Sequence, residues 1–118
     1  MDKAINYFMR SAELNNTNAK RTLALEYISG KHLELDIEKG LEMLTECADR
    51  GDTLSCYKLG KIYFKGEIVY KDLNMAEKYF LKASQKENRY ALYSLGTLYL
   101  EKEKYSLDKA VEYFEKVL

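Results

Sequence analysis

Proline is absent from all 118 residues. The chain therefore lacks the residue that most often breaks a helix, and an all-helical protein with turns made by glycine, aspartate and asparagine tolerates its loss. Net charge is absent too, because nineteen Lys and Arg balance nineteen Asp and Glu. A neutral chain has no long-range pull toward phosphate, so nucleic acid is not expected as a partner. No apolar run approaches the roughly 20 residues that span a bilayer, so no membrane insertion is expected. The opening MDKAINYFMRSAELNN is amphipathic and has no apolar core of a secretory signal. With only two cysteines and no C-x-x-C, it points to the cytoplasm and gives no redox or zinc motif. Glycine is scarce at six residues, and none is left over for a GxGxxG or P-loop phosphate cradle. The apolar and charged fractions, 47% and 32%, are those of a folded chain.

What is present is a repeat. TNAKRTLALEYISG, TLSCYKLGKIYFKG and RYALYSLGTLYLEK begin at Thr17, Thr53 and Arg89, a constant spacing of 36 residues. Self-similarity at this period denotes stacked helical units. Leu23, Leu59 and Leu95 share one column, Ala24, Gly60 and Gly96 the next, and Tyr27, Tyr63 and Tyr99 a third. A helix-interior glycine costs about 1 kcal/mol relative to alanine, so its use in the small column predicts a neighbour too close for a methyl group. A second helix follows in each unit. Its small column is Ala4, Gly40, Ala76 and Ala110, and its large columns are Tyr7, Met43, Tyr79, Tyr113 and Phe8, Leu44, Phe80, Phe114. Asp36, Asp72 and Ser106 stand four residues before the small column, where an N-cap belongs. Gly30 and Gly66 close the first helices, and Gly51 follows a second helix. The pattern predicts helices over 2–14, 18–29, 37–50, 54–65, 73–86, 89–101 and 107–118. Residues 1–118 then form one all-α domain, with a leading half-repeat at 1–14 and repeats at about 17–50, 53–86 and 89–118.

These columns resemble the Sel-one-like repeat family, a relative of the tetratricopeptide repeat, with the pattern A-x-x-x-L-G-x-x-Y-x-x-G followed by D-x-x-K-A-x-x-Y/W-F/L-x-x-A-A-x-x-G. SCYKLGKIYFKG followed by DLNMAEKYFLKAS matches it best, and EKGLEMLTECADRG carries its second half. The first unit departs with LALEYISG, the middle loop with GEIVYKD, and the third has Lys102 in place of the loop glycine. The resemblance implies an α-α superhelix (solenoid) of stacked antiparallel helix pairs, acting as a non-enzymatic scaffold or adaptor without cofactor or metal. Cysteine-rich bacterial relatives imply an alternative, a secreted binder or hydrolase of β-lactam-like molecules with a Cys47–Cys56 disulfide. Those relatives keep C-x7-C in each repeat, whereas this chain has C-x8-C once. Cys47 shares a column with Ser11, Ala83 and Val117 and reads as a small core residue. A third reading is a structural spacer.

The sole histidine, His32, falls in a turn without the partners of a triad or metal site. Glu38 with Glu42 and Glu112 with Lys116 read as solvated helix faces. In the family fold the first helix of each pair lines a concave groove. The stripe beside its core columns is Arg21, Leu25 and Ile28, then Tyr57, Lys61, Phe64 and Lys65, then Tyr90, Tyr93, Thr97 and Leu100. Arg and Tyr dominate interface energetics, so Arg21, Tyr57 and Tyr93, which share a column, are expected to carry contacts to a peptide or protein segment. The lysines favour acidic character in it. The bland alternative is repeat packing plus chance surface tyrosines. The last helix ends on Val117 and Leu118 and the first has no cap, which together suggest a piece of a longer array or end-to-end self-association.

Overall fold

The computed structural model describes residues 3–13, 16–86, 88–101 and 106–118, with Phe8 described by its backbone alone. Among them are seven α-helices and no strand: α1 (Lys3–Glu13), α2 (Thr17–Ser29), α3 (Ile37–Asp49), α4 (Thr53–Lys65), α5 (Leu73–Ser84), α6 (Arg89–Glu101) and α7 (Leu107–Val117). The expected helices are all there. α5 stops two residues early because Gln85 and Lys86 tighten its last turn, donating to Leu81 O at 3.3 Å and Ala83 O at 3.4 Å. Asp2, Leu14 and Lys102, on which expectations were also placed, lie outside the described residues.

The ends of the helices explain why the period is kept. Asp36, Asp72 and Ser106 cap α3, α5 and α7, accepting from the backbone N–H of Lys39, Met75 and Lys109 at 3.1, 3.0 and 3.4 Å. The first helices are capped as well, by Asn16, Asp52 and Asn88, which accept from Ala19, Ser55 and Ala91. Each cap satisfies a backbone donor that has no partner inside its helix, an effect of about 1 kcal/mol. The intervening loop closes the same way each time. The N–H of Asp36, Asp72 and Ser106 donates to the carbonyl of the repeat tyrosine, Tyr27, Tyr63 and Tyr99 respectively. Gly30 and Gly66 start those loops at φ of 65° and 67°, a left-handed conformation that costs glycine little.

Two compact units contain these elements, Met1–Ser55 and Cys56–Leu118. In the first, α2 packs against both α1 and α3, burying Ile5, Ala19, Leu23, Ala24, Ile28, Leu44 and Cys47. A Cβ on Gly40 would lie 2.6 Å from the carbonyl oxygen of Ala24 and 2.6 Å from Ile28 Cγ1, so α3 approaches the α2 backbone directly. In the second unit the arrangement is reversed. The glycine sits on the first helix and an aromatic ring covers it: a Cβ on Gly60 would meet the Phe80 ring at 2.5 Å, and one on Gly96 the Phe114 ring at 2.5 Å. Ala76, Phe80, Leu95, Leu98, Tyr99 and Ala110 form the core there. Tyrosines stack alongside, Tyr63 on Tyr79 and Tyr99 on Tyr113, with centroids 6.1 and 5.6 Å apart. Tyr79 and Phe80 on α5, which packs against both α4 and α6, are 3% and 1% exposed, while their equivalents Tyr113 and Phe114 on α7 are only half-buried.

One ionic cluster braces the first unit. Arg21 Nη1 donates to both carboxylate oxygens of Asp52, at 2.9 and 2.7 Å, and Nη2 donates to Asn18 Oδ1 at 3.0 Å. Asp52 also accepts from the hydroxyl and backbone N–H of Ser55. Burial works against the Asp52 carboxylate, but the Ser55 hydroxyl and the Arg21 guanidinium outweigh it and hold its pKa below the usual value.

Two predictions follow from these contacts. Gly60→Ala gains about 1 kcal/mol of helix propensity and loses about 1–3 kcal/mol to overpacking against Phe80. Urea unfolding should show net destabilisation in the wild-type background and none in Phe80→Leu, which recreates the Ala24 and Leu44 combination. Equal cost in both backgrounds would refute the fit. Asp52→Asn keeps an N-cap, since Asn16 and Asn88 already serve as one, but loses charge-assisted bonds worth about 1–2 kcal/mol. Because the folded pKa is lowered, that stabilisation is full above the ordinary carboxylate pKa of about 4 and disappears as pH falls through the lowered value. The stability gap between wild type and variant should be widest near pH 7 and close in acid.

Candidate binding surface

The expected stripe residues fall into two environments. Arg21 and Leu25 are in the first unit. Arg21 is 15% exposed and its guanidinium is committed to Asp52 and Asn18, while Leu25 is half-buried. Ile28, also in the first unit, is buried against Gly40 and so is a core residue rather than a surface one. The remaining stripe residues lie on α4 and α6 in the second unit. Tyr57 is half-buried, with its ring 6.1 Å from Phe80 and 5.9 Å from Tyr90. Lys61, one turn further along α4, places Nζ 5.5 Å from the Tyr57 ring centroid. On α6, Tyr90 is 71% exposed and Tyr93 59% exposed. They stand at i and i+3, on one face. Tyr93 touches Phe114 with centroids 5.6 Å apart, and the Thr97 hydroxyl donates to the Tyr93 carbonyl at 3.2 Å.

Phe64 and Lys65 behave differently from each other. Phe64 tilts onto Phe80 at 6.3 Å, and Lys71 lies over its outer face at 5.2 Å, so it closes the edge of the core. Lys65 is exposed at the end of α4. The geometry thus brings together Tyr57, Lys61, Tyr90 and Tyr93 in the second unit. Two features escaped the sequence reading. Lys71 and Tyr70, the latter 97% exposed, sit in the loop after α4 and belong to no repeat column. Lys58 joins Lys61 and Lys65 at i, i+3 and i+7, a spacing that was legible in TLSCYKLGKIYFK. A separate depression of about 690 Å³, lined by Ser84, Gln85, Arg89, Leu92, Tyr113 and Lys116, contains none of these tyrosines.

The other chemistry-bearing residues are quiet. Cys47 and Cys56 are buried, and neither is in a disulfide. Burial pushes the Cys47 thiol pKa up, which is the opposite of what an activated nucleophile needs. His32 Nδ1 lies 2.8 Å from Glu26 Oε2 on an exposed loop. Glu112 and Lys116 make an exposed i, i+4 pair at 3.6 Å. Among the described residues no group of three or more His, Cys, Asp or Glu is arranged to hold a metal ion, and no helix is long and apolar enough to cross a membrane.

Known proteins with this arrangement share its repeat. The Sel1 repeat family model matches residues 1–16, 20–52, 53–88 and 89–116. The crystal structure of c5321, a protective antigen present in uropathogenic Escherichia coli strains and displaying an SLR fold, superposes with a TM-score of 0.86 at 26% identity, over 96% of this chain and 25% of that one. A Sel1 repeat protein from Oxalobacter formigenes superposes with a TM-score of 0.83 at 24% identity, over 96% of this chain and 47% of that one, and at that identity shows the fold alone. The chain thus spans a quarter and just under half of these two proteins. No curated protein matches it. With four matched repeats covering nearly all of its length, the chain belongs to the Sel1 repeat family.

Proposed function

We propose that this chain is a non-enzymatic protein-interaction module that binds a peptide or protein segment on the α4–α6 face of its second unit. The observation that carries this reading is the exposure of Tyr90 and Tyr93 beside Tyr57 and Lys61, on helices whose core positions are already filled by Leu59, Leu95 and Leu98. A tyrosine offers a large, rigid contact area and a hydroxyl at its tip, at the entropic cost of only two side-chain torsions. Rings left in water along α6, beside the half-buried Tyr57 of α4, are a surface that a partner can desolvate. Sel1 repeats commonly serve as interaction scaffolds, in keeping with this role. Arg21 has its donors engaged by Asp52 and Asn18, so the proposed contacts rest on the tyrosines and Lys61.

The packing also selects the variants. Tyr57 and Tyr93 touch Phe80 and Phe114, and their truncation removes core-edge contacts as well as surface. Tyr90 is the cleaner probe. Peptides selected from a display library on the wild-type protein should bind Tyr90→Ala with a loss of about 1–2 kcal/mol, roughly 5- to 30-fold, at an unchanged melting temperature. Binding that survives Tyr90→Ala combined with Tyr93→Ala would retire the surface.

A further inference from the structure

The chain's neutrality conceals a division of charge. Residues 1–55 carry seven basic and ten acidic side chains, whereas residues 56–118 carry twelve basic and nine acidic. Within the second unit the excess is not spread evenly. α4 holds Lys58, Lys61 and Lys65 and no carboxylate at all. The only acid on α6 is its last residue, Glu101, and that is held by Lys71 at 2.9 Å. The acids of this unit's helices otherwise sit on α5 and α7. Among the described residues no carboxylate pairs with Lys58, Lys61 or Lys65. Lys61 instead lies over the Tyr57 ring.

Resting on the binding face assigned above, we propose that its occupant is an acidic peptide segment, with Asp or Glu side chains meeting Lys58, Lys61 and Lys65 while neighbouring apolar or aromatic side chains lie against Tyr57, Tyr90 and Tyr93. Three cations at i, i+3 and i+7 form a stripe about two turns long beside the rings. A segment carrying carboxylates gains complementarity along that stripe, and a basic segment is repelled. Lysines on flexible stems contribute to the encounter rate and to charge selection more than to fixed geometry. Tyrosines with lysines could also hold single-stranded nucleic acid, by stacking and phosphate contact. The balanced total charge and the acidic first unit disfavour that occupant, because a polyanion longer than the face meets repulsion at a distance.

The test uses a random peptide display library, selected on the intact wild-type chain and on two folded variants: Lys58→Glu/Lys61→Glu/Lys65→Glu and Tyr90→Ala/Tyr93→Ala. The expected result is that peptides enriched on wild type carry an excess of Asp and Glu. They should lose at least tenfold in affinity on the lysine variant, weaken as sodium chloride rises from 50 to 500 mM, and lose affinity on the tyrosine variant. Enriched peptides that depend on the tyrosines but carry no acidic excess would overturn the charge assignment and leave the binding face standing. Absence of any tyrosine-dependent peptide would remove both. A labelled twelve-nucleotide oligothymidine binding more tightly than the best peptide, through the same lysines, would overturn the peptide occupant in favour of nucleic acid. Circular dichroism of both variants confirms folding, and the exposed or half-exposed positions of the lysines make charge reversal tolerable.

Discussion

A small residue facing a large one across each helix pair is the constraint on which the repeat depends. In the second unit Gly60 lies under the Phe80 ring and Gly96 under the Phe114 ring. Glycine inside a helix costs about 1 kcal/mol against alanine, and burying a phenylalanine side chain returns about 1.5–3 kcal/mol. The second effect is larger, so the glycine is retained where the ring is. The first unit reaches a similar local volume by another division: Ala24 on α2, Gly40 on α3 and Leu44 in the ring's column. The three helix pairs therefore keep a sum rather than a residue. That explains how the repeat tolerates alanine in one glycine column and glycine in one alanine column without losing its register.

Most of the fold was legible because the central core positions recur, although Tyr7, in the same column as buried Tyr79, is 66% exposed. Leu23, Leu59 and Leu95 are 0–3% exposed, and the caps Asp36, Asp72 and Ser106 make the bonds their position implies. The second series of caps, Asn16, Asp52 and Asn88, was equally periodic but went unread, because it lies one residue before the copied segments and mixes two residue types. The proposed binding stripe was legible only in part. Column position placed Tyr57, Tyr90 and Tyr93 together on the surface but could not show that Arg21 finds Asp52, thirty-one residues away. A column states where a side chain starts. A long side chain is then claimed by whichever opposite charge is in reach, and that partner belongs to no column. Phe64 illustrates the same point in the apolar case, since its ring folds back onto Phe80.

Folding and the proposed binding thus use different residues of the same helices. On α4, Leu59 and Gly60 face the core while Lys58, Lys61 and Lys65 meet no carboxylate among the described residues. Tyr57 and Tyr93 join the two roles, each with its ring against a phenylalanine while remaining partly exposed. Such rings are held in place before any partner arrives, which lowers the ordering cost of association. In the proposed role, a neutral chain with locally uneven charge selects partners by sign without becoming a general polyanion binder.

The most direct measurement is a nuclear Overhauser spectrum of the folded chain, read at the α-protons of its helix-interior glycines. The account predicts strong cross-peaks from Gly60 to the Phe80 ring protons and from Gly96 to the Phe114 ring protons, with Gly40 instead giving its cross-peaks to Ile28 and Ala24. Aromatic cross-peaks missing from Gly60 and Gly96 in a folded, helical sample would contradict it.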